Sequence, residues 1–315
     1  MIPGKCENRI IVLLSSYNGE KYIEAQLDSI LGQKTDARVD IIVRDDGSTD
    51  GTLGILRRYE EEHDNITVIE GSNVGFVRSF FTLMKEAPEA DYYALSDQDD
   101  KWLPDKLQCA VTALKRAERK FPGMPLLYGS SSYLVRSDMK PLGETQKLIR
   151  RMTVYNTLIQ NIMRGHTQVF NAGLRKIICG MDIAYDKLYA HDQFLLNIAM
   201  IRGRVIFENH SYTLYRQSGD GVLGYGIGPL QWLRKRMERF QKGDGRKIAL
   251  QMRYIADLER EHMKPEVRRE LCRFLECRKN VLSRIGYIVR TRLYRQKRTE
   301  SFLFRLAYIA GKYND

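Results

Sequence analysis

The chain has 315 residues, a net charge of +12 and a hydrophobic fraction of 43%, as expected of a globular protein with an ample core. No apolar run approaches the roughly 18–20 residues needed to span a bilayer, and the first residues lack the layout of a signal peptide. The five cysteines are scattered, odd in number and without zinc-ligand spacing, which argues against a disulfide framework or a zinc site. We therefore expect a cytoplasmic protein with reduced thiols.

The first part of the sequence alternates predicted strands with predicted helices. Strand patterns at 9–15, 39–44, 66–69 and 92–95 are each followed by turn residues and a helical pattern. This alternation predicts βαβ units, and so an α/β fold with a mainly parallel sheet flanked by helices. Since each strand ends in small, polar or acidic residues, we expect polar loops along one edge, where open α/β sheets bind ligands.

After a helix predicted at 104–120 the pattern becomes less regular. Residues 126–129 and 132–135 are predicted to form two short paired strands, and 204–207 and 212–215 form two more. The other elements predicted in this part are a strand at 169–171 and helices at 172–179 and 192–201.

A basic region closes the chain. From residue 229 to residue 315 there are 23 Lys and Arg residues against 10 Asp and Glu residues, with helical patterns and no strand signals. We predict an α/β domain at 1–228 and a basic helical appendage at 229–315. The helical patterns of the appendage cover 229–241, 246–262 and 265–298.

Two acidic turns end two of the predicted parallel strands. Asp45 and Asp46 follow the second strand, and Asp97, Asp99 and Asp100 follow the fourth. Packed carboxylates repel one another unless a cation or hydrogen bonds offset the repulsion, and Mg²⁺ is often held by one or two carboxylates plus substrate phosphates. The pattern predicts a metal–diphosphate site, with an acidic turn that caps the next helix as the alternative.

Four motifs then carry a resemblance to a known family. They are Ser-Tyr-Asn-Gly at 16–19, Arg-Asp-Asp-Gly-Ser-Thr-Asp at 44–50, Asn-x-Gly at 73–75 and Ser-Asp-Gln-Asp-Asp-x-Trp-x-Pro-x-Lys-Leu at 96–107. In this order they resemble the family 2 inverting glycosyltransferases of the GT-A fold. The last of them, with Tyr-Arg-Gln-x-Gly at 215–219, is most similar to bacterial rhamnosyltransferase-like enzymes. Neither a G-x-G-x-x-G nor a P-loop sequence occurs, which disfavours dinucleotide binding and P-loop phosphoryl transfer.

The resemblance implies a GT-A domain at 1–228 that uses Mn²⁺ or Mg²⁺. It would move a hexosyl or deoxyhexosyl group, with rhamnosyl as one candidate, from a nucleoside diphosphate sugar to a glycan or lipid-linked acceptor in cell-surface polysaccharide synthesis. A dTDP- or UDP-linked donor is expected. The residues implied in donor binding are Ser16, Tyr17, Asp45, Asp46, Asp97 and Arg216, and Asn73 is a candidate because its turn lies on the ligand edge.

Metal and base are assigned by the same resemblance. Asp97 and Asp99 match the D-x-D motif, with Asp99 as the direct metal ligand, and Asp192 matches the catalytic base. Ser218 stands where relatives usually have His, which makes His191 or His166 a candidate metal ligand. The alternatives are a helix N-cap for Asp192, structural roles for both histidines, and a hydrogen bond from Asp45 to its own turn.

The basic appendage interleaves aromatic residues with cations near 232–236 and 287–295. Such helices suit an anionic membrane surface, nucleic acid or packing on the body of the protein. We expect the appendage to bind an anionic membrane surface, which would make the enzyme a peripheral protein on the inner face of the cell membrane. We expect no nucleic-acid partner. The rival functions are a nucleotidyltransferase, a nucleic-acid-binding protein acting through the appendage, and an inactive family member that binds donor or glycan.

Overall fold

The computed structural model describes residues 8–145, 147–217 and 244–314, which fall into two compact units. The first unit consists of the described residues of Met1–Thr145, Met163–Ile183 and Gly203–Gly221. The second consists of those of Gln146–Ile162, Ala184–Arg202 and Val222–Asp315. The predicted boundary at residue 228 and the predicted helix at 229–241 lie outside the described residues.

The first unit contains a mixed sheet. The strands are β1 Arg9–Ser16, β2 Arg38–Asp45, β3 Ile66–Glu70, β4 Tyr92–Asp97, β5 Lys101–Trp102, β6 Leu126–Arg136, β7 Pro141–Glu144, β8 Val169–Asn171 and β9 Arg204–Gln217. In the described residues the strand order is β3-β2-β1-β4-β8-β6-β9-β5, and β7 pairs with β6. Pairing is parallel in β3-β2-β1-β4 and between β6 and β9, and antiparallel elsewhere.

Helices flank this sheet and build the second unit. In the first unit they are α1 Ile23–Leu31, α2 Thr52–Glu62, α3 Phe76–Glu86, α4 Lys106–Lys120 and α6 Ala172–Cys179. In the second unit they are α5 Val154–Thr157, α7 His191–Arg202, α8 Asp244–Leu258, α9 Pro265–Glu276, α10 Val281–Arg290 and α11 Arg298–Ile309.

Strand β1 is buried on both faces, as its continuous apolar run predicts. Residues 10–14 are fully buried. Ile10, Val12 and Leu14 join the core formed with α1, α2 and α4. Ser15 points to the opposite face, where its hydroxyl lies 2.7 Å from that of Ser79 in α3. A strand covered in this way is the centre of the parallel part of the sheet.

The register of these strands brings the acidic turns together. Ser16 pairs with Asp45 of β2, and Ser15 pairs with Asp97 of β4. Because β1, β2 and β4 run parallel, their carboxyl ends share one edge of the sheet. The prediction that the polar loops gather along this edge is confirmed.

Four predicted strands and one predicted helix differ from the structure. The short paired strands predicted at 126–129 and 132–135 are one long strand, β6, and the strands predicted at 204–207 and 212–215 are another, β9. β6 and β9 pair with each other along most of their length, with local register shifts. Ser130, Ser131 and Ser132 interrupt the apolar pattern of β6, but all three are buried within it. The single helical pattern at 265–298 forms α9, α10 and the start of α11, because Asn280 caps a new helix by accepting from the Ser283 N–H.

The second unit is helical and has its own aromatic core. The ring of Phe274 lies 6.1 Å from that of Tyr287, 5.0 Å from that of Tyr308 and 5.7 Å from that of Tyr313, between ring centroids. No helix in the described part of the chain has both the length and the apolar character to cross a membrane.

Candidate functional site

A cavity of about 410 Å³ opens at the carboxyl edge of the parallel strands, in the size range of small-molecule sites. It combines polar and acidic side chains from the strand ends with two phenylalanines of α3. Its lining residues are Ser15, Tyr17, Asp46, Asn73, Gly75, Phe76, Phe80, Asp97, Gln98 and Asp99. The structure therefore brings Tyr17, Asp46, Asn73, Asp97 and Asp99, all predicted as site residues, to one cavity.

Tyr17 is held at the cavity wall by Gln98, a residue that the sequence interpretation did not single out. The Gln98 Oε1 atom accepts from the Tyr17 N–H at 2.6 Å and from the Ser16 hydroxyl at 3.0 Å. Its Nε2 donates to the Tyr17 carbonyl at 2.9 Å. The Tyr17 side chain is about half exposed, so its ring is available to a ligand while its backbone is fixed.

Asp46 is fixed by charge and by backbone donors. Its carboxylate is paired with the buried Arg44 guanidinium and accepts from the N–H groups of Val74 and Gly75, each at 2.9 Å. Gly75 has φ of +81°, a left-handed conformation that glycine adopts without strain. These bonds tie the turn after β2 to the turn that contains Asn73, whose Oδ1 also accepts from the Gly75 N–H. Asp46 and Asn73 are thereby set at one side of the cavity.

Asp45 bonds within its own turn. Its two carboxylate oxygens accept from the Ser48 N–H at 2.9 Å and from the Ser48 hydroxyl at 2.5 Å. This is the alternative that the sequence left open for Asp45. The residue is buried and shapes the turn that carries Asp46.

An acidic cluster, with Asp100 and His166 buried and Asp97 partly exposed, adjoins the cavity. Asp97, Asp100 and His166 each place one potential ligand atom within 4.8 Å of the other two. The His166 Nδ1 is 3.6 Å from Asp97 Oδ2 and 3.4 Å from Asp100 Oδ2, while its Nε2 lies 2.8 Å from the Ser132 hydroxyl. Imidazole held at its second nitrogen by an outer partner is the usual arrangement of a metal-binding histidine.

Burial and mutual repulsion disfavour the charged forms of Asp99 and Asp100, in and next to this cluster. Burial and the neighbouring Asp97 raise the pKa of Asp99 to about 6. Burial, with Asp97 and Asp99, raises the pKa of Asp100 well above its usual range. Asp100 Oδ2 is buried and makes no hydrogen bond to a described residue. Two carboxylates and one imidazole are suitable donors for a divalent metal, so these residues fit the metal that the resemblance implies.

A buried lysine lies near the acidic cluster and offsets its negative charge only in part. Lys106 is fully buried with its Nζ 3.0 Å from the centre of the Trp102 ring. Burial lowers its pKa well below the usual range, against the opposing effect of Asp100 and Asp97. Lys106 therefore offsets the carboxylate charge incompletely, which leaves room for a bound cation.

The helix-capping alternative does not describe the acidic turn. Strand β5 lies between the turn and α4, and Asp105 precedes α4 without a side-chain cap bond. Asp100 Oδ1 instead accepts from the Arg216 N–H at 3.1 Å. The Arg216 guanidinium donates to the carbonyls of Asp99 and Ser137, both at 2.7 Å, and covers the Tyr22 ring at 4.2 Å. Arg216 thus braces the acidic turn.

His191 and Asp192 lie in the second compact unit and are both buried. Helix α7 begins at His191, so Asp192 lies within the first turn and not before it. Its Oδ2 accepts from the Asn161 Nδ2 at 2.8 Å, and its Oδ1 accepts from the Gln193 N–H at 2.7 Å. The carboxylate is oriented by a neighbouring side chain, which a simple N-cap does not require. Ser218 lies outside the described residues.

Comparison with known proteins identifies relatives. Residues 11–178 match the family model described as glycosyl transferase family 2. The dTDP-rhamnosyl transferase RfbG of Shigella flexneri is 29% identical over 226 residues, which are 68% of this chain and 74% of that protein. The putative teichuronic acid biosynthesis glycosyltransferase TuaG of Bacillus subtilis is 37% identical over 102 residues, which are 31% of this chain and 39% of that protein.

Solved structures share the fold. The structure of S. aureus TarS in complex with UDP has a TM-score of 0.59 at 19% identity, and the match covers 96% of this chain and 80% of that one. The mannosyltransferase PcManGT of Pyrobaculum calidifontis, in complex with GDP-Man and Mn²⁺, has a TM-score of 0.56 at 19% identity, with coverages of 97% and 86%. The likeness extends over nearly the whole chain.

Proposed function

The chain belongs to glycosyltransferase family 2 and is a GT-A glycosyltransferase, and from that premise we propose a metal-dependent, inverting transfer. A hexosyl or deoxyhexosyl group moves from a nucleoside diphosphate sugar to a glycan or lipid-linked acceptor of the cell surface. One observation carries the proposal: the ends of β1, β2 and β4 bring two acidic turns to a single cavity, next to a cluster of two carboxylates and an imidazole.

The donor in this proposal is linked to dTDP or UDP. A named relative is a dTDP-rhamnosyl transferase, and a structural neighbour is seen with UDP. The nucleoside is bound by Ser16, Tyr17 and Asp46 with Asn73 beside them, while Asp45 keeps their turn in shape. Rhamnosyl is the candidate sugar, supported by RfbG at 29% identity.

The metal in this proposal is Mn²⁺ or Mg²⁺. Asp97 and Asp99 are its predicted ligands, and His191 was a further candidate. The geometry favours adding Asp100 and His166, since they place donor atoms next to Asp97, and His191 does not belong to this cluster of described residues. When bound, the metal neutralises charge on the departing nucleoside diphosphate.

Asp192 serves as the base. Its carboxylate takes the proton from the acceptor hydroxyl while that oxygen forms a bond to the anomeric carbon. The bond from that carbon to the diphosphate oxygen breaks at the same time, and the nucleoside diphosphate leaves on the opposite face. A single displacement inverts the anomeric centre. In the same proposal Arg216, whose guanidinium donates to the Asp99 carbonyl, stabilises the charge that develops on the nucleoside diphosphate, an electrostatic effect that is usually the largest catalytic term.

The location in this proposal is the inner face of the cell membrane, where a lipid-linked acceptor is reached by a peripheral protein. Its support is the net positive charge of the C-terminal region, with 23 Lys and Arg against 10 Asp and Glu from residue 229 onward. Lys and Arg near an anionic bilayer are attracted to it.

Product analysis tests the proposed reaction against its nearest rival. We expect incubation with a donor sugar nucleotide, Mn²⁺ and a glycan acceptor to release a nucleoside diphosphate and to add one sugar with the opposite anomeric configuration. A nucleotidyltransferase would release no nucleoside diphosphate in this incubation, but would release pyrophosphate from a nucleoside triphosphate and a sugar 1-phosphate in a parallel incubation. An inactive family member would release neither product. Mass spectrometry of the nucleotide product, with an EDTA-treated sample as control, separates the three outcomes.

A further inference from the structure

Helix α10 presents an apolar stripe to solvent. Leu282 is 82% exposed and Val289 is 77% exposed, and Val281 and Ile285 are exposed as well. These four positions cluster within about 100° of the helix circumference, as the helical period of 3.6 residues dictates. The stripe is therefore continuous along α10.

Helix α11 adds a second exposed stripe. Phe302, at 60% exposure, and Leu306 are one turn apart on the same face. The two helices are neighbours in the second unit, because the rings of Tyr287 in α10 and Tyr308 in α11 lie 5.0 Å apart between centroids. Contiguous apolar exposure of this kind marks an interaction surface.

The orientation of α10 is fixed by its buried side. Tyr287 is 1% exposed, and its hydroxyl donates to the buried Glu270 carboxylate at 2.7 Å. The same carboxylate accepts from the Thr291 hydroxyl at 2.7 Å and from the Arg292 N–H at 3.0 Å. Rotating the helix to cover its exposed stripe would break this buried network, so the stripe stays outward.

The segment that carries both stripes is strongly basic. Between residues 278 and 312 the chain has ten Lys and Arg residues and one acidic residue, Glu300, which is buried. Arg290, Arg298 and Arg305 are exposed and make no ion pair with a described residue. The ten are Arg278, Lys279, Arg284, Arg290, Arg292, Arg295, Lys297, Arg298, Arg305 and Lys312.

We infer that the outer faces of α10 and α11 form a docking surface for an anionic lipid bilayer. The aliphatic side chains enter the boundary between headgroups and acyl chains, and the arginines meet the anionic headgroups. This assigns residues to the peripheral location in the proposed function and rests on that location, but its test uses neither donor nor acceptor.

Charge and side-chain type favour a bilayer over other occupants. In a symmetric dimer through this face, the basic patch of one copy would meet the same patch of the other, which repels. Single-stranded nucleic acid is commonly bound by stacking on several aromatic side chains, but five of the six exposed apolar residues on these faces are aliphatic and only Phe302 is aromatic. An anionic membrane matches both the mainly aliphatic stripes and the exposed arginines.

Vesicle co-sedimentation of the full chain tests this surface. The vesicles are phosphatidylcholine alone and phosphatidylcholine mixed with phosphatidylglycerol. We expect wild-type protein to bind only the mixed vesicles, with an affinity that falls as salt is raised. The double variant Leu282→Gln/Val289→Gln should bind about tenfold or more weakly, because the transfer of two aliphatic side chains is lost. Leu250→Gln removes an exposed aliphatic residue of α8, outside both stripes, and should bind as wild type does.

A second variant separates charge from burial. Arg290→Gln/Arg298→Gln should also weaken binding and should flatten its salt dependence. Equal binding of wild type to both vesicle types, or unchanged binding of the Leu282→Gln/Val289→Gln variant, overturns the inference. The inference is also overturned if the protein binds no vesicles and instead dimerises through this face or binds DNA. Since all variants leave the donor cavity intact, product analysis of each one shows whether the proposed reaction stands independently.

Discussion

Asp192→Asn is expected to lower kcat by about 10²–10⁴-fold, the usual contribution of a general base. Asn has the shape of Asp but cannot take the proton from the acceptor hydroxyl. The single Asn oxygen can keep the hydrogen bond from the Asn161 Nδ2, which donates to the Asp192 carboxylate at 2.8 Å, while the bond from the Gln193 N–H is lost. Donor affinity should stay within about twofold, because the loss concerns proton transfer and not binding.

The measurement is steady-state kinetics with saturating donor and metal, together with a donor titration. Asp186→Asn is the matched control: Asp186 belongs to the same compact unit and is exposed, and its replacement removes one carboxylate charge without changing kcat. A value of kcat for Asp192→Asn within a few-fold of wild type would show that another group accepts the proton.

Asp97→Asn is expected to reduce transferase activity by about 10²–10³-fold or more, since metal-ion stabilisation of a leaving group is worth several kcal/mol. The variant removes one of the two carboxylates of the cluster with Asp100 and His166. Excess Mn²⁺ should restore part of the activity if metal binding is weakened, whereas wild-type activity should be lost in EDTA. The Asp99→Ala variant should also have lower transferase activity, because Asp99 is the other predicted metal ligand.

The control for Asp97→Asn is Asp105→Asn. Asp105 is exposed and precedes α4 without a side-chain cap bond, so its loss changes the local charge equally without touching the cluster. Metal titration by isothermal calorimetry gives a readout that is independent of turnover. Full metal-dependent activity in Asp97→Asn, with an unchanged metal dissociation constant, would remove Asp97 from the metal site.

The parallel part of the fold and the position of the site follow from local sequence signals. The uniformly apolar residues 10–14 predict a strand buried on both faces, and in the structure all five side chains are buried. Asp45, Asp46 and Asp97 were placed on one edge because the ends of parallel strands coincide, and the pairing of Ser16 with Asp45 and of Ser15 with Asp97 provides this.

Long-range contacts account for what the sequence interpretation missed. Gln98 holds Tyr17 across 81 positions of sequence, a contact that depends on β1 and β4 being neighbours. His166 was considered only because of the change at residue 218, and it reaches Asp97 and Asp100 through a short turn whose place is set by the sheet order. The length of β6 was missed because its serines carry no apolar signal, although all of them are buried.

The split of the C-terminal pattern has a similar origin. Periodicity continues from residue 265 to residue 298, so no break is visible in the apolar spacing. The break comes from specific hydrogen bonds. At the start of α10, Asn280 caps the helix. At its C-terminal end, the buried Glu270 carboxylate accepts hydrogen bonds from Tyr287, Thr291 and Arg292. Such bonds depend on side-chain geometry and not on residue class.

A donor screen by thermal unfolding tests the central claim most directly. UDP-, dTDP- and GDP-sugars are each added with Mn²⁺, with Mg²⁺ and with EDTA. A ligand that binds only the folded protein stabilises it by about 2.7 kcal/mol at a hundredfold excess over its dissociation constant, which is a clear rise in Tm. We predict a rise with a dTDP- or UDP-sugar that requires metal and is lost in Asp97→Asn. A Tm that no sugar nucleotide raises, with or without metal, would contradict the donor site at the ends of β1, β2 and β4.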